Sequence, residues 1–347
     1  MILRFPNPMS AVVWLAFFLP ASLLGGWVDR TFGAALFVLG GAALLAKPSP
    51  WETRKPSAQA LKVFLLLELL YVVSFAYSAA FNGALFGLRD YFELLRYVFL
   101  GVFAAYLIRH YDAQVRGAME WAMLAALYFS LALPPADPQA YVAIMTLCWL
   151  LFFSRLRLRH LHAVTALFVV FLSGGPVSWT AAFWVLSAAL SLRVYRGLLR
   201  RRARHSVRLS VALFAALAAS SIVCFRLRPA ASAERHASRE SVTRQFIRRS
   251  PVFGWGPTDV AAIPGRSQYL FWELKGGALG AGLILIALLL VGYRLLRAAS
   301  GDPTRLAGAA AFLGSVALIL AAGRFLESFR LFVLTAFFMA GMFETSR

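Results

Sequence analysis

The stretch GRSQYLFWELKGGALGAGLILIALLL, residues 265–290, turns within a few positions from polar to apolar. From Leu270 the chain stays mainly apolar to residue 293, interrupted by Glu273 and Lys275. That length matches the roughly 20 residues a helix needs to cross a hydrocarbon core about 30 Å thick. Working outward, similar runs occupy residues 9–28, 31–46, 60–80, 93–108, 117–134, 139–153, 161–175, 177–192, 207–225, 306–322 and 325–342. The reading is an all-α polytopic membrane protein with about twelve transmembrane helices, ten to thirteen being compatible with the pattern. Composition agrees: 61% of the 347 residues are hydrophobic and 14% are charged, with a mean hydropathy of +0.71, which excludes an ordinary soluble globular domain. The first run follows Arg4 and lacks a small-residue cleavage site, so it reads as a retained span rather than a removed signal peptide.

Lys and Arg in the connecting segments and at the ends of these runs fall into two sets. One, with 21 members, includes Arg4, the residues from Lys47 to Lys62, Arg109 and Arg116, Arg155 to Arg159, Arg193 to Arg208, Arg294, Arg297, Arg305 and Arg347. The other has 11, and eight of those lie between residues 226 and 268. The positive-inside rule makes the first set cytoplasmic, with both termini inside. The chain then divides into an N-terminal transmembrane bundle (1–225), a periplasmic arginine-rich loop (226–269) and C-terminal transmembrane helices (270–347). A cytoplasmic loop 226–268 would leave the apolar run 207–225 with no membrane to enter. The net charge of +20 is mostly that of basic loops beside anionic lipid, and no nucleic-acid-binding motif accompanies it. Cys148 and Cys224 sit in or at the edge of apolar runs, without metal-ligand spacing, and read as buried thiols.

Within the basic loop, residues 238–249 (SRESVTRQFIRR) suit a short amphipathic helix. Val242 and Phe246 are four apart and share one face; Arg244 and Arg248 share another, as do Arg235 and Arg239. Pro251 stops the helix, and Gly254 and Gly256 permit backbone conformations closed to other residues. Guanidinium forks grip phosphate bidentately, so a cluster of them suits a pyrophosphate. Generic attraction to lipid head groups is the competing reading.

Taken together, FIRRSPVFGWGP and the stretch at 265–290 resemble the signature region of the bacterial O-antigen ligase and Wzy-type polysaccharide polymerase superfamily. The matching positions are Pro251, Phe253, Gly254, Gly256, Tyr269, Leu270, Glu273, Gly277 and Gly280. Weaker likenesses lie in LRDYFELLRYVFLG (88–101) and FLSGGPVSWTAAFWVL (171–186). Two features depart from the family. Arg266 and Ser267 stand where ligases usually carry His-Asn, and Gly174, Gly175 and Pro176 replace an arginine-bearing turn. The missing histidine counts against a ligase more than against a polymerase.

The resemblance implies a GT-C-like membrane glycosyltransferase of the bacterial inner membrane, independent of metal and cofactor. It would transfer a glycan from an undecaprenyl-pyrophosphate-linked oligosaccharide to an acceptor hydroxyl at the periplasmic face. Membrane lipids, a chain-length regulator and other polysaccharide-assembly proteins are its expected partners. Arg239 and Arg244 would stabilise the departing pyrophosphate, with Arg235, Arg248, Arg249 and Arg266 as further ligands. Glu240, Asp259 and Glu273 are the carboxylates able to assist the acceptor, although Glu273 could equally pair with Lys275 or a neighbouring helix. Tyr269, Gly254, Gly256 and Trp255 complete the expected binding surface, and Trp255 or Trp272 could stack on sugar or anchor at the interface.

Other intramembrane charges read mainly as structural. Glu93 with Arg96 and Glu327 with Arg330 are each three apart, while Glu68 and Glu120 have no evident sequence partner. Arg89, at a span mouth, and Arg330 are the plausible functional exceptions. Trp14, Trp27, Trp51, Trp121 and Trp179 fall near expected span ends. The alternatives to a polymerase are an O-antigen ligase and a transporter of a lipid-linked saccharide or small solute; the latter lacks the internal repeat common in that class.

Overall fold

The computed structural model describes residues 113–135, 137–199, 241–255, 267–323 and 329–344, with helical positions also at Leu69, Val73, Ala76, Tyr77, Ala80 and Phe81. The expected spans 9–28, 31–46, 93–108 and 207–225 lie outside the described residues, as do Glu68, Arg89, Glu93, Arg96, Cys224, Arg235, Arg239, Glu240, Gly256, Asp259, Arg266 and Glu327. So do Trp14, Trp27 and Trp51.

The described residues fold as helices: α1 Ala113–Ala132, α2 Asp137–Phe152, α3 Arg159–Ser173 and α4 Pro176–Leu199. A short helix α5 covers 241–249. It is followed by α6 Gln268–Ala299, α7 Pro303–Ala322 and α8 Phe329–Glu344. Among the described residues, three helices are long and apolar enough to cross a membrane: Pro176–Arg196, Gln268–Ala299 and Pro303–Ala321. This is a membrane protein built from helices.

Two helices run further than their apolar stretches. α4 continues through Arg193 and Arg196, and α6 through Arg294 and Arg297. Arginine is a good helix former, and its long stem lets the charge reach water from a helix end. The basic residues expected in loops therefore decorate helix termini. The C-terminal end of α4 meets the start of α7, where the Arg196 guanidinium donates to the Thr304 hydroxyl.

At the centre stands α2, buried on all sides from Gln139 to Leu150. A helix apolar all round belongs in an interior, and α1, α3, α4, α7 and α8 all pack on it. Four of its polar groups each address a different neighbour. Gln139 accepts from Ser173 of α3 at 3.0 Å, and Tyr141 shares a 2.5 Å hydrogen bond with Thr335 of α8. The Cys148 thiol, buried as expected, points to the Gly308 carbonyl of α7 at 3.5 Å. Trp149 Nε1 donates to Glu120 of α1 at 3.0 Å.

Glu120 thus has partners that the sequence reading missed. α1 starts at Ala113 rather than 117, which places Arg116 on the helix one turn before Glu120, at 4.0 Å. Arg116 also donates to the Phe153 carbonyl at 2.5 Å and lies 5.5 Å from the Trp149 ring centroid. Trp121, two turns inside α1 rather than at its end, faces outward. Trp179, near the start of α4, stacks on Phe171 at 5.0 Å.

α7 begins on Asp302, whose carboxylate accepts the Thr304 N–H at 2.8 Å with Pro303 following at the first helical position. Arg305 lies 3.5 Å from the same carboxylate. Partial burial pushes the Asp302 carboxyl up. The Thr304 hydrogen bonds and the Arg305 and Arg196 charges outweigh that and hold it below the usual carboxylate range.

Two outcomes follow for the detergent-solubilised protein. Glu120→Ala should cost about 1–3 kcal/mol, because it leaves the Trp149 Nε1–H without its acceptor and removes the carboxylate beside Arg116, with Glu120→Gln losing less than half as much; thermal unfolding measures both. Asp302→Ala should cost about 1 kcal/mol as a lost N-cap. Because the folded-state carboxyl titrates below its unfolded value, the wild-type advantage is full above the unfolded pKa and disappears as pH falls through the folded one. An Asp302→Ala deficit that persists unchanged at the acid end would contradict this.

Candidate functional site

The arginine-bearing segment is organised by a break in α6. Gly277 has φ 62° and ψ −168°, outside the helical region, and divides α6 into a first half (268–276) and a second half (278–299). In a straight helix Tyr269 and Leu288 would be about 28 Å apart. Instead both pack in one cluster with Phe271, Trp272, Leu320 and Val316, so the first half folds back beside the end of α7. The sequence reading expected one uninterrupted span here; the adjacent glycines Gly276 and Gly277 were the available signal.

The turn after α5 fills this break. The Ala278 N–H donates to the Pro251 carbonyl at 2.8 Å, the Leu279 N–H to Val252 at 3.2 Å, and the Trp255 N–H to the Leu274 carbonyl at 2.9 Å. Gly254 faces Gly277 directly and also has positive φ, 69°. A Cβ on Gly254 would stand 2.5 Å from the Lys275 carbonyl oxygen and overlap the Gly277 nitrogen, and one on Gly277 would overlap Val252. Both positions require glycine for their conformation and for their contact.

α5 is held against the first half of α6 by Ile247 and Leu274, with Phe246, Trp255 and Leu270 around them. Its buried face carries Thr243 and Ile247, while Val242 is exposed. The expected Val242–Phe246 face is therefore corrected by about one residue: the docking partner Leu274 selects the side, which helical periodicity alone leaves open. Pro251 follows the end of the helix as expected. The Ser250 hydroxyl closes the turn on the Gly254 carbonyl at 2.7 Å, and Trp255 Nε1 reaches back to the Phe246 carbonyl at 2.8 Å. Phe253 lies against Tyr77 at 4.5 Å and Phe81 at 6.3 Å.

This scaffold presents Arg244, Arg248 and Arg249 as exposed side chains. The Arg249 guanidinium lies 5.9 Å from the Phe246 ring centroid. Glu273 is half-buried on the first half of α6. It is not paired with Lys275: residues two apart on a helix point to different sides, and the Lys275 ammonium is buried, 4.3 Å from the Phe271 ring centroid. The buried Lys275 cation thus packs on Phe271 instead of serving Glu273.

The remaining expected residues are placed as follows. The Tyr269 hydroxyl donates to the Ala317 carbonyl at 3.0 Å, which ties α6 to α7. Trp272 is buried, edge-on to Tyr269, whereas Trp255 is half-buried, edge-on to Phe246. Arg330 lies in the first turn of α8. The described arrangement carries three exposed arginines on α5 and one half-buried carboxylate on the half of α6 against which α5 docks. No protein-family model matches the chain, and no curated protein matches it significantly.

Trp255→Phe should keep the aromatic packing yet strip the Phe246 carbonyl of its side-chain donor, costing about 1 kcal/mol. Hydrogen exchange across 241–255 should then accelerate while exchange in α2 stays unchanged; uniform protection across both regions would show that this hydrogen bond does not hold α5.

Proposed function

We propose that the chain is a membrane glycosyltransferase of bacterial polysaccharide assembly, acting as a polymerase. In this reading about twelve helices form a GT-C-like bundle in the inner membrane, both termini are cytoplasmic, and α5 with its turn faces the periplasm. The second half of α6 supports that orientation. From Ala278 it rises about 24 Å to Arg294 and about 28 Å to Arg297, a separation close to the thickness of a hydrocarbon core, with the turn at one end and these arginines at the other.

The observation that carries the proposal is the exposed set Arg244, Arg248 and Arg249 on a helix fixed to a broken span. In the reaction, an acceptor hydroxyl oxygen attacks the anomeric carbon of the donor sugar and forms the new glycosidic bond. The bond from that carbon to the pyrophosphate oxygen breaks, and undecaprenyl pyrophosphate leaves with the electron pair. Its growing negative charge is met by guanidinium groups. The hydroxyl proton passes to a carboxylate, for which Glu273 is the described candidate, or to water. Arg239, Arg235, Arg266, Glu240 and Asp259 remain candidates from the resemblance, as do Arg89 and Arg330 for the acceptor side.

The test is to delete the gene and analyse lipid-linked and surface saccharides. Single undecaprenyl-pyrophosphate repeat units with loss of long polymer support the polymerase. Polymer accumulating unattached to lipid A would replace it with a ligase, and repeat units retained in the cytoplasmic leaflet would replace it with a transporter. In complementation, Arg244→Ala and Arg248→Ala should each lower polymer formation about 100-fold while the protein still accumulates in the membrane. A normal chain-length ladder from both variants would remove the arginines from the mechanism.

A further inference from the structure

The contact between Gly254 and Gly277 does more than close a turn. It connects the two pieces that bear the candidate chemistry. Arg248 and Arg249 belong to α5, whose chain runs directly into the Pro251–Trp255 turn. Glu273 belongs to the first half of α6, which ends at Gly277. One backbone hydrogen bond, from the Trp255 N–H to the Leu274 carbonyl, joins these pieces directly, and two more hold the turn to Ala278 and Leu279 just beyond Gly277; a Cβ on Gly254 would overlap the Gly277 nitrogen, and one on Gly277 would overlap Val252. A second, side-chain layer lies beneath: Ile247 on Leu274, with Trp255 hydrogen-bonded to Phe246. Glu273 immediately precedes Leu274, whose side chain packs on α5 and whose carbonyl accepts the Trp255 N–H. Any shift of the turn along α6 therefore changes the placement of the carboxylate relative to the guanidinium groups.

We infer that Gly254 and Gly277 are positioning residues. The close approach of Gly254 to the Gly277 and Lys275 backbone, and of Gly277 to the Val252 backbone, fixes the Glu273 carboxylate relative to Arg248 and Arg249, and the unit stays closed throughout turnover. The inference rests on the function proposed above and adds to it a rigid rather than a moving active element. A methyl group at either glycine has no room, and both residues hold positive φ, so Gly254→Ala or Gly277→Ala must slide the turn away from the break. The arginines would remain together on α5. Ground-state grip on a pyrophosphate should then survive while alignment for transfer is lost, since misplacement by about 1 Å can cost about 100-fold in rate.

The experiment uses the full-length protein in nanodiscs with two probes: farnesyl pyrophosphate for binding, and lipid-linked repeat units extracted from a strain lacking this gene for transfer. Gly254→Ala is expected to lower kcat about 100-fold, with the Kd for farnesyl pyrophosphate and the KM within a few-fold of wild type. An unchanged kcat, or a loss confined to KM and Kd, overturns the inference. A second variant is independent of the glycines' tolerance for substitution. Val252→Cys with Leu279→Cys places a disulfide across a position already joined by a backbone hydrogen bond. The oxidised protein should turn over as fast as the reduced one. Inactivation on oxidation, reversed by reductant, would mean that the turn must open, and would overturn the rigid-unit reading even if Gly254→Ala behaves as expected. The two levels of proposal separate cleanly: a wild-type protein that transfers no glycan ends the proposed function, whereas an active wild type with an equally active Gly254→Ala ends only the positioning role.

Discussion

A break within a helix leaves N–H and carbonyl groups without partners in the helical ladder, and each one buried and left open costs about 1–3 kcal/mol. At Gly277 the chain solves this with another piece of itself. The carbonyls of Pro251 and Val252 take the N–H groups of Ala278 and Leu279, and the Trp255 N–H takes the carbonyl of Leu274. Both ends of the break are satisfied by one turn. That turn has to sit so close that neither facing residue can carry a Cβ, which accounts for the two positive-φ glycines. The position of α5, the exposure of its arginines and the backward fold of 268–276 all derive from this arrangement.

The bundle beneath depends on a different economy. α2 is surrounded by other helices, so its shape complementarity is apolar, and apolar packing between helices in lipid specifies register weakly. The polar groups of Gln139, Tyr141, Cys148 and Trp149 point to α3, α8, α7 and α1 respectively. A slip of any neighbour by one turn would strand one of them in the core. The arginine at the start of α1 belongs to the same logic, since Arg116 neutralises the acid that Trp149 requires.

Among the described residues, much of the helical layout is legible in the sequence because long apolar runs have few alternatives. α2, α3 and the end of α7 fall within two residues of their expected limits. What local pattern could not decide were features fixed by distant partners. Whether Val242 or Ile247 turns inward depends on Leu274, which lies more than twenty residues away. Gly276 and Gly277 fit the opening of a continuous span until residues 251–255 are seen docked against them. Glu120 looked isolated because the expected start of α1 left Arg116 outside the helix by one residue. In the candidate site, Arg244, Arg248, Arg249 and Glu273 were identifiable by residue type. Their shared support was not, because it is made of backbone groups that no side-chain pattern reports.

The two halves of the glycine contact are about two dozen residues apart in the chain, and the turn is synthesised first. Loop-closure entropy grows only slowly with length and is small for such a separation. The turn has already been made when the second half of α6 follows it out of the ribosome. The break in α6 need never wait, uncapped, for a remote part of the protein to arrive. Biosynthesis and final structure place the same demand on this segment: the helix that cannot be continuous is delivered together with the peptide that completes it.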